Sequence, residues 1–167
     1  MLNKKVKKNK LIVFLSAFIL LVSCDSNSVF DEYVAIPNGT WNSNNSIDFS
    51  FKVQDTINKH NLFVNLRNNN AYEFSNLFLI TKLDFPDGQK IIDTLEYDMA
   101  DLTGKFLGAG FSEIKENKLF YKENISFPIS GDYSIGITQA MRKSNEIDGL
   151  QNLEGVTEVG FRIEKIE

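Results

Sequence analysis

Apolar and polar residues alternate with a period of two along most of the chain after Trp41. In the segment 47–53, IDFSFKV, every second residue is apolar, and in 62–67, LFVNLR, Leu62, Val64 and Leu66 alternate with their neighbours. Successive side chains of an extended strand point to opposite faces, so this pattern predicts half-buried β-strands. Helical periodicity is scarce, and only 138–143 suggests a turn of helix. The alternation therefore predicts an all-β domain.

Further strands are predicted on either side of turn sequences. The apolar run 77–85 stops at Pro86-Asp87-Gly88, where proline presets φ and glycine supplies a left-handed position. The segment 91–99 then returns as the hairpin partner. Other strand candidates are 119–122, 133–138 and 156–165. Seven or eight short strands separated by such turns predict an antiparallel β-sandwich, with a jelly roll as one arrangement of it.

The first 23 residues are typical of a secretory signal peptide. Five lysines and no acidic residue lie within positions 1–10, and a nearly unbroken apolar run follows at 11–22. A permanent transmembrane helix needs about 20 apolar residues, and this run is shorter. The run closes with Leu21-Val22-Ser23-Cys24, which matches the bacterial lipobox.

Cys24 is the predicted site of lipid attachment. Leu21 suits an apolar recognition pocket, Ser23 is small enough to lie at the scissile bond, and the Cys24 thiol would receive diacylglycerol. The alternative is an ordinary cleaved signal followed by a chance cysteine, but Cys24 is the only cysteine in the chain. Two or three acyl chains anchor a protein stably. We therefore expect the mature protein to stay on a membrane surface.

Three parts of the chain follow from these assignments. They are a signal peptide at 1–23, a lipidated tether at 24–40 and a β-sandwich domain at 41–167. The tether is polar and is interrupted by Pro37 and Gly39. A small apolar cluster inside it would suit a first edge strand, and its members are Val29, Phe30, Tyr33 and Val34.

Removal of the signal leaves a strongly acidic chain. Five lysines are removed with it, so 13 of the 18 basic residues remain and the 22 acidic residues are all retained. The net charge therefore falls from −4 to −9. An acidic body repels phosphate backbones, which argues against a nucleic-acid partner. With Cys24 acylated, no thiol remains for a disulfide, a thiolate metal site or a cysteine nucleophile.

The sequence offers no convincing catalytic set. His60 is the only histidine, and no Gly-x-Ser-x-Gly motif accompanies it. Its position just before the strand at 61–67 predicts an exposed residue at a strand start. Gly104, Gly108 and Gly110 lack the strand-to-helix context of a phosphate-binding loop. We therefore predict a protein that is not an enzyme and has no cofactor.

Acidic residues cluster in the segment 93–101, DTLEYDMAD. In an extended strand Glu96 and Asp98 point to the same face, about 7 Å apart. Together with Asp101 they offer the oxygen ligands of a calcium site, and their spacing would also suit a glycosidase pair. The simpler interpretation is a solvated strand face, so no metal site is assigned.

Aromatic residues raise a second functional hypothesis, a glycan-binding module on a lipid tether. Sandwich domains often bind sugars on exposed rings, and Trp41, Tyr72 and Tyr97 are the candidates here. Packing in the core or at a sheet edge is the alternative role for these three rings.

Six further blocks follow the lipobox along the chain. They are DEY at 31–33, NLFVNLRNN at 61–69, SNLFLITKLDFPDG at 75–88, DTLEYDMAD at 93–101, GDYSIGITQAMR at 131–142 and LEGVTEVGFRIEKI at 153–166. In this order they resemble the GldH family of gliding-motility lipoproteins from the Bacteroidetes. The resemblance covers nearly the whole chain, and its specificity lies in the number and order of the blocks.

The resemblance implies a lipoprotein of the cell envelope that is required for gliding and linked to the type IX secretion machinery. The expected partners are the membrane, through the N-terminal lipid, and other gliding-motility lipoproteins or type IX secretion subunits. It supplies no catalytic residue, and Cys24 is the one functional position that matches. Four residues in the matching blocks are candidates for a polar network or partner surface, namely Arg67, Gln139, Arg142 and Arg162.

The Bacteroidetes origin that the resemblance implies bears on location and modification. Acidic runs near the lipidated cysteine can promote surface display there, and CDSNSVFDE has none close to Cys24. We therefore expect the outer membrane, with the body in the periplasm. O-glycosylation at Asp-Ser/Thr followed by an aliphatic or small residue is common in these bacteria. Thr56 and Thr94 fit that pattern.

Overall fold

The computed structural model describes residues 27–110, 113–144 and 146–166. The predicted signal peptide, the lipobox residues Leu21, Val22 and Ser23, and Cys24 lie outside the described residues. The described chain forms ten β-strands and one 3-10 helix, Pro37–Gly39. The strands are β1 Ser28–Ala35, β2 Thr40–Asn42, β3 Ile47–Val53, β4 His60–Asn68, β5 Asn76–Asp84, β6 Lys90–Asp98, β7 Lys115–Ile125, β8 Gly131–Gln139, β9 Asn152–Glu154 and β10 Val156–Lys165.

Two four-stranded antiparallel sheets form the sandwich. Sheet 1 has the order β1-β10-β4-β7, sheet 2 has the order β3-β8-β5-β6, and β2 and β9 form a short separate pair. The prediction of an all-β antiparallel sandwich is thus confirmed. Among the described residues, no helix has the length and apolar character needed to cross a membrane.

An aromatic core lies between the sheets. Phe49, Phe51 and Val53 of β3 are buried, and the residues between them are exposed. The Phe51 ring centroid lies 5.5 Å from that of Phe161 in sheet 1 and 5.7 Å from that of Tyr133 in sheet 2. Such pairs add about 0.5–1.5 kcal/mol each beyond the burial of their area. The alternation along β3 is therefore an alternation between core and solvent.

The predicted hairpin at Pro86-Asp87-Gly88 is also confirmed. β5 and β6 pair antiparallel from Asn76↔Asp98 to Asp84↔Lys90. Gly88 has a φ of +85°, and its backbone N–H donates to the Phe85 carbonyl at 3.0 Å. Glycine adopts this left-handed conformation without steric cost, which explains its place in the turn.

The predicted boundary between tether and domain is wrong. β1 begins four residues after Cys24 and pairs with β10 from Ser28↔Glu164 to Ala35↔Glu158. Pro37 and Gly39, which had suggested an unstructured tether, form the 3-10 helix that follows β1. The domain therefore starts at Ser28, and β1 is the edge strand that its apolar cluster suggested.

Two local predictions are also wrong. The segment 138–143 is not a turn of helix, because β8 continues to Gln139 and a loop follows. His60 does begin a strand, but it is buried rather than exposed. Its ring lies 5.4 Å from that of Phe127, and burial lowers its pKa. The β7–β8 connection supplies Phe127, so a contact distant in sequence covers the histidine.

The two ends of the sandwich carry different connections. We call the end where β1 begins the near end, and the connections β3–β4, β5–β6 and β7–β8 lie there. The opposite end is the far end, and it carries the connections β4–β5, β6–β7 and β8–β9. A strand of nine residues separates the two ends by about 30 Å.

Gly155 provides a test of this packing. It has a φ of +85°, and a Cβ atom there would lie 2.1 Å from the Tyr72 backbone nitrogen. We expect Gly155→Ala to lower the free energy of unfolding by more than about 2 kcal/mol, because both the φ angle and the contact are violated. Denaturant titration measures the change.

Gly88→Ala is the matched control. Gly88 has the same φ, but an added Cβ would meet no atom within 4 Å. We expect a loss of about 1 kcal/mol from backbone strain alone. Equal losses for the two variants would contradict the close contact at Gly155.

Candidate functional site

A cleft of about 1040 Å³ opens at the far end of the sandwich. Phe78 of β5 and Met141, just after β8, line its apolar part, while Glu73, Arg142 and Lys143 add charged side chains. Met141 is fully buried, and its Sδ atom accepts a hydrogen bond from the Phe78 backbone N–H at 3.1 Å. The cleft thus combines apolar and charged lining, as ligand and partner sites do.

Gln139 holds one wall of this cleft in place. Its side chain is buried, and Nε2 donates to the Leu150 carbonyl at 2.7 Å while Oε1 accepts from the Met141 backbone N–H at 2.9 Å. The Leu150 N–H in turn donates to the Met141 carbonyl at 2.7 Å. These bonds tie together both ends of the β8–β9 connection. The burial of the polar Gln139 side chain is therefore explained by its hydrogen bonds, which hold the β8–β9 connection in place.

Several exposed apolar side chains lie on the connections at the far end. Leu102 and Leu107 lie on the β6–β7 connection, and Ile147 lies on the β8–β9 connection and lines the cleft. Leu102 lies on a turn that Asp101 organises, because the Asp101 carboxylate accepts hydrogen bonds from the Thr103 N–H at 2.8 Å and the Lys105 N–H at 3.0 Å. These bonds, led by the one from the Thr103 hydroxyl, lower the pKa of Asp101. Leu102 is thus presented on an ordered turn.

The structure does not gather the three predicted calcium ligands into a cluster. Glu96 and Asp98 share an exposed face of β6, as predicted, but Asp101 caps its own turn. Glu96 accepts a hydrogen bond from Asn76 Nδ2 at 3.3 Å. Within the described part of the chain, no group of three or more His, Cys, Asp or Glu residues could hold a metal ion.

A second candidate surface is the outer face of sheet 1, where Arg67 of β4 organises the half toward the far end. Arg67 Nε donates to Glu116 Oε2 of β7 at 3.1 Å, and its Nη1 pairs with Glu158 of β10. The guanidinium also lies over the ring of Tyr33 from β1, 4.6 Å from its centroid. Arg67 therefore connects all four strands of the sheet.

Tyr33 joins this network through its hydroxyl. The hydroxyl donates to Glu116 Oε1 at 2.9 Å and accepts from Nδ2 of the buried Asn65 at 2.9 Å. Burial, together with the Glu116 hydrogen bond, raises the pKa of Tyr33 to about 12. The ring rests on Gly160, where a Cβ would lie 2.8 Å from Tyr33 Cδ1. Glycine is needed at 160 for this contact.

Arg162 organises the near half of the same face. It pairs with Asp31 of β1, and its Nε donates to Glu164 Oε1 at 2.6 Å. Lys118 Nζ of β7 donates to the same Glu164 oxygen at 2.7 Å. Burial opposes ionisation of Glu164, but these cationic hydrogen bonds outweigh it and lower the pKa of Glu164.

Two phenylalanines in tilted ring contact complete the face. The Phe63 and Phe120 ring centroids lie 4.5 Å apart, and Lys118 Nζ lies 4.1 Å from the Phe63 centroid. Phe63 is buried beneath these neighbours, whereas Phe120 is 49% exposed. Phe120 is thus the apolar group that this otherwise charged surface offers to a partner.

The four predicted polar residues fall into two separate sites. Arg67 and Arg162 belong to the outer face of sheet 1, where the blocks 31–33, 61–69 and 153–166 meet. Gln139 and Arg142 line the far-end cleft. Leu102 and Ile147 were not identified from the sequence as candidate contact residues. The signal that could have indicated them is that each is a single apolar residue within a polar stretch of its connection.

The aromatic row required by the glycan-binding hypothesis is not formed. Trp41 and Tyr72 are core residues, and Tyr97 is half-buried with its hydroxyl donating to the Phe120 carbonyl at 2.7 Å. Thr56 is half-buried in the β3–β4 connection, and Thr94 is exposed on the outer face of sheet 2. Glycosylation of these two threonines stays a prediction.

The lowered pKa of Glu164 predicts a pH-dependent contribution to stability. Its ionised form is favoured by folding, so its contribution is present above the ordinary pKa of 4.5 and is lost as the pH falls through the lowered folded value. We expect Glu164→Gln to cost about 1 kcal/mol of unfolding free energy at pH 7 and much less near pH 3. Glu123→Gln, on the exposed end of β7, should leave the difference near zero at both pH values. A pH-independent loss in Glu164→Gln would contradict the ion-pair assignment.

Solved structures show only distant likeness to this chain. The VP2 subviral particle protein of infectious bursal disease virus has a TM-score of 0.41 at 14% identity, with 87% of this chain and 34% of that chain covered. A family 35 carbohydrate binding module from Clostridium thermocellum has a TM-score of 0.32 at 12% identity, covering 78% of this chain and 97% of the module. With TM-scores below 0.5, neither supports an inference about this protein.

Two gliding-motility lipoproteins are much more similar to this chain. The gliding motility lipoprotein GldH homolog of Christiangramia forsetii is 50% identical over 153 residues, which cover 92% of this chain and 93% of that protein. The gliding motility lipoprotein GldH of Flavobacterium johnsoniae is 49% identical over 158 residues, covering 95% of this chain and 97% of that protein.

The family match spans the whole sandwich. The model of the GldH lipoprotein family matches residues 28–163, from the first residue of β1 to within β10. The resemblance carried by the sequence blocks is thereby confirmed, and its limits coincide with the folded domain rather than with the predicted domain start at 41. This chain belongs to the GldH lipoprotein family.

Proposed function

We propose that this protein is an envelope lipoprotein, acylated at Cys24, that serves gliding motility without being an enzyme. The observation that carries the proposal is 49% identity over 95% of the chain to a protein named gliding motility lipoprotein GldH. The Leu21-Val22-Ser23-Cys24 sequence supports the lipid anchor. The anchor holds the body at the outer membrane, on its periplasmic side.

The body makes protein contacts through its far end. Ile147 exposes its side chain at the cleft, and Leu102 exposes its side chain on the β6–β7 connection, at the end of the sandwich opposite the start of β1. Exposed apolar groups beside a concave surface are typical of interaction sites. The proposed partners are other gliding-motility lipoproteins or type IX secretion subunits.

The placement of His60 supports a non-enzymatic role. His60 is the only histidine in the sequence, and it is buried at the near end against Phe127. It therefore lies at the end of the sandwich opposite the cleft. The net charge of −9 after signal removal further disfavours a nucleic-acid partner.

Deletion of the gene tests the motility role and the anchor together. We expect non-spreading colonies and a loss of secreted adhesins, both restored by the wild-type gene. Cys24→Ala should fail to restore either, because the thiol that receives lipid is absent. Normal spreading in the deletion strain would overturn the proposed function, and full rescue by Cys24→Ala would overturn the role of the anchor.

The introduction of charges at the apolar residues of the far end tests the contact surface. We expect the double variant Leu102→Asp and Ile147→Asp to abolish spreading and to lose its cross-linked envelope partners in living cells, because two apolar contacts become charged. Ile92→Asp is the matched control, since Ile92 is 67% exposed on the outer face of sheet 2. Retained partners in the far-end variant would show that contact occurs elsewhere.

A further inference from the structure

The chain between the proposed lipid and the folded body is very short. β1 begins at Ser28, four residues after Cys24. Four residues span at most about 14 Å even when fully extended. The near end of the sandwich must therefore stay close to the surface that holds the lipid, whereas the far end is separated from the near end by about 30 Å.

The near end presents one isoleucine on an ordered loop. Ile57, in the β3–β4 connection, is 85% exposed. The Asp55 carboxylate accepts hydrogen bonds from the backbone N–H groups of Ile57 and Asn58, both at 3.0 Å, and from Asn58 Nδ2 at 2.5 Å. The carboxylate is thus committed to shaping this loop, and the loop holds Ile57 outward.

This loop lies beside the point where the chain leaves for its anchor. The Lys165 N–H donates to the Asn27 carbonyl at 2.9 Å, and the Ile166 N–H donates to the Lys59 carbonyl at 2.9 Å. The first described residue, the C-terminal end of β10 and the β3–β4 connection are therefore neighbours. Val29 is also exposed here, and it borders the same small hollow as Asp55.

The side chains beside this loop suit a lipid surface. Lys59 and Lys165 are exposed beside the loop, and ammonium groups on long stems favour anionic headgroups. Single exposed apolar residues are common on proteins and need no ligand. Ile57 differs because a tether of at most about 14 Å keeps it at the membrane.

We propose that the near end is a membrane-contact surface, in which Ile57 and Val29 enter the interfacial layer of a phospholipid bilayer while Lys59 and Lys165 face its headgroups. This inference rests on the proposed acylation of Cys24. Such contact would orient the molecule. With the near end on the bilayer, the far-end cleft, Leu102 and Ile147 point away from the bilayer. The lipid and the near end together thus hold the body upright.

A pair of labelled variants tests the orientation. Because acylation consumes the only natural thiol, Ile57→Cys and Ile147→Cys each supply one free cysteine in the full-length lipidated protein. Each is coupled to a fluorophore and reconstituted in vesicles of phosphatidylethanolamine and phosphatidylglycerol that contain nitroxide-labelled lipid. Ile147 is the matched position, since its exposure of 94% resembles that of Ile57.

We expect the nitroxide lipid to quench the label at 57 several-fold more strongly than the label at 147. Equal quenching at the two positions would show a body that lies flat or stands clear of the bilayer, and stronger quenching at 147 would show the reverse orientation. Each of these results would overturn the inference while leaving the anchor intact. A product without lipid by intact mass, recovered in the soluble fraction, would instead refute acylation of Cys24 and the inference with it.

Discussion

The pairing of β10 with β1 on one side and with β4 on the other is the constraint on which the rest of the structure depends. Its register places Arg162 between Asp31 and Phe63 on the neighbouring strands. It also places Gly160 between Tyr33 and Asn65, and it sets Glu158 beside Arg67. Because side chains alternate along each strand, every one of these rows lies on the outer face while Phe161 enters the core. The same pairing fixes the N-terminal strand to the C-terminal strand, and so places the proposed anchor at one end of the sandwich.

The sequence predicted those parts of the fold in which alternation is strong and local. β3 and the β5–β6 hairpin are of this kind, since each has one apolar face and the turn chemistry is explicit. β1 was harder to predict because it is an edge strand whose Asp31 and Glu32 are exposed to solvent. Their polarity suggested a tether instead of a strand. The burial of His60 was invisible in the sequence, because Phe127, which covers it, lies more than sixty residues away.

The two candidate surfaces show the same limit. Sequence blocks identified Arg67, Gln139, Arg142 and Arg162, but only the strand register reveals that they belong to different sites. The three proposed calcium ligands were close in sequence, yet the turn after β6 uses Asp101 for its own backbone. Proximity along the chain therefore predicted which side chains share a strand face. It did not predict which residues come together in one site.

The energetics of the two surfaces differ in a way that bears on where a partner would bind. On the outer face of sheet 1, Arg67, Lys118 and Arg162 already have carboxylate partners. A partner there would have to desolvate ion pairs that are complete without it, which is costly unless new bonds replace the lost water. At the far end, by contrast, Leu102 and Ile147 lose only unfavourable contact with water when covered, which contributes about 25 cal/mol for each Å² buried. The paired charges thus act mainly to hold β1, β10, β4 and β7 in register, and that rigidity keeps the far end at a fixed distance from the start of β1, where the proposed anchor joins the body.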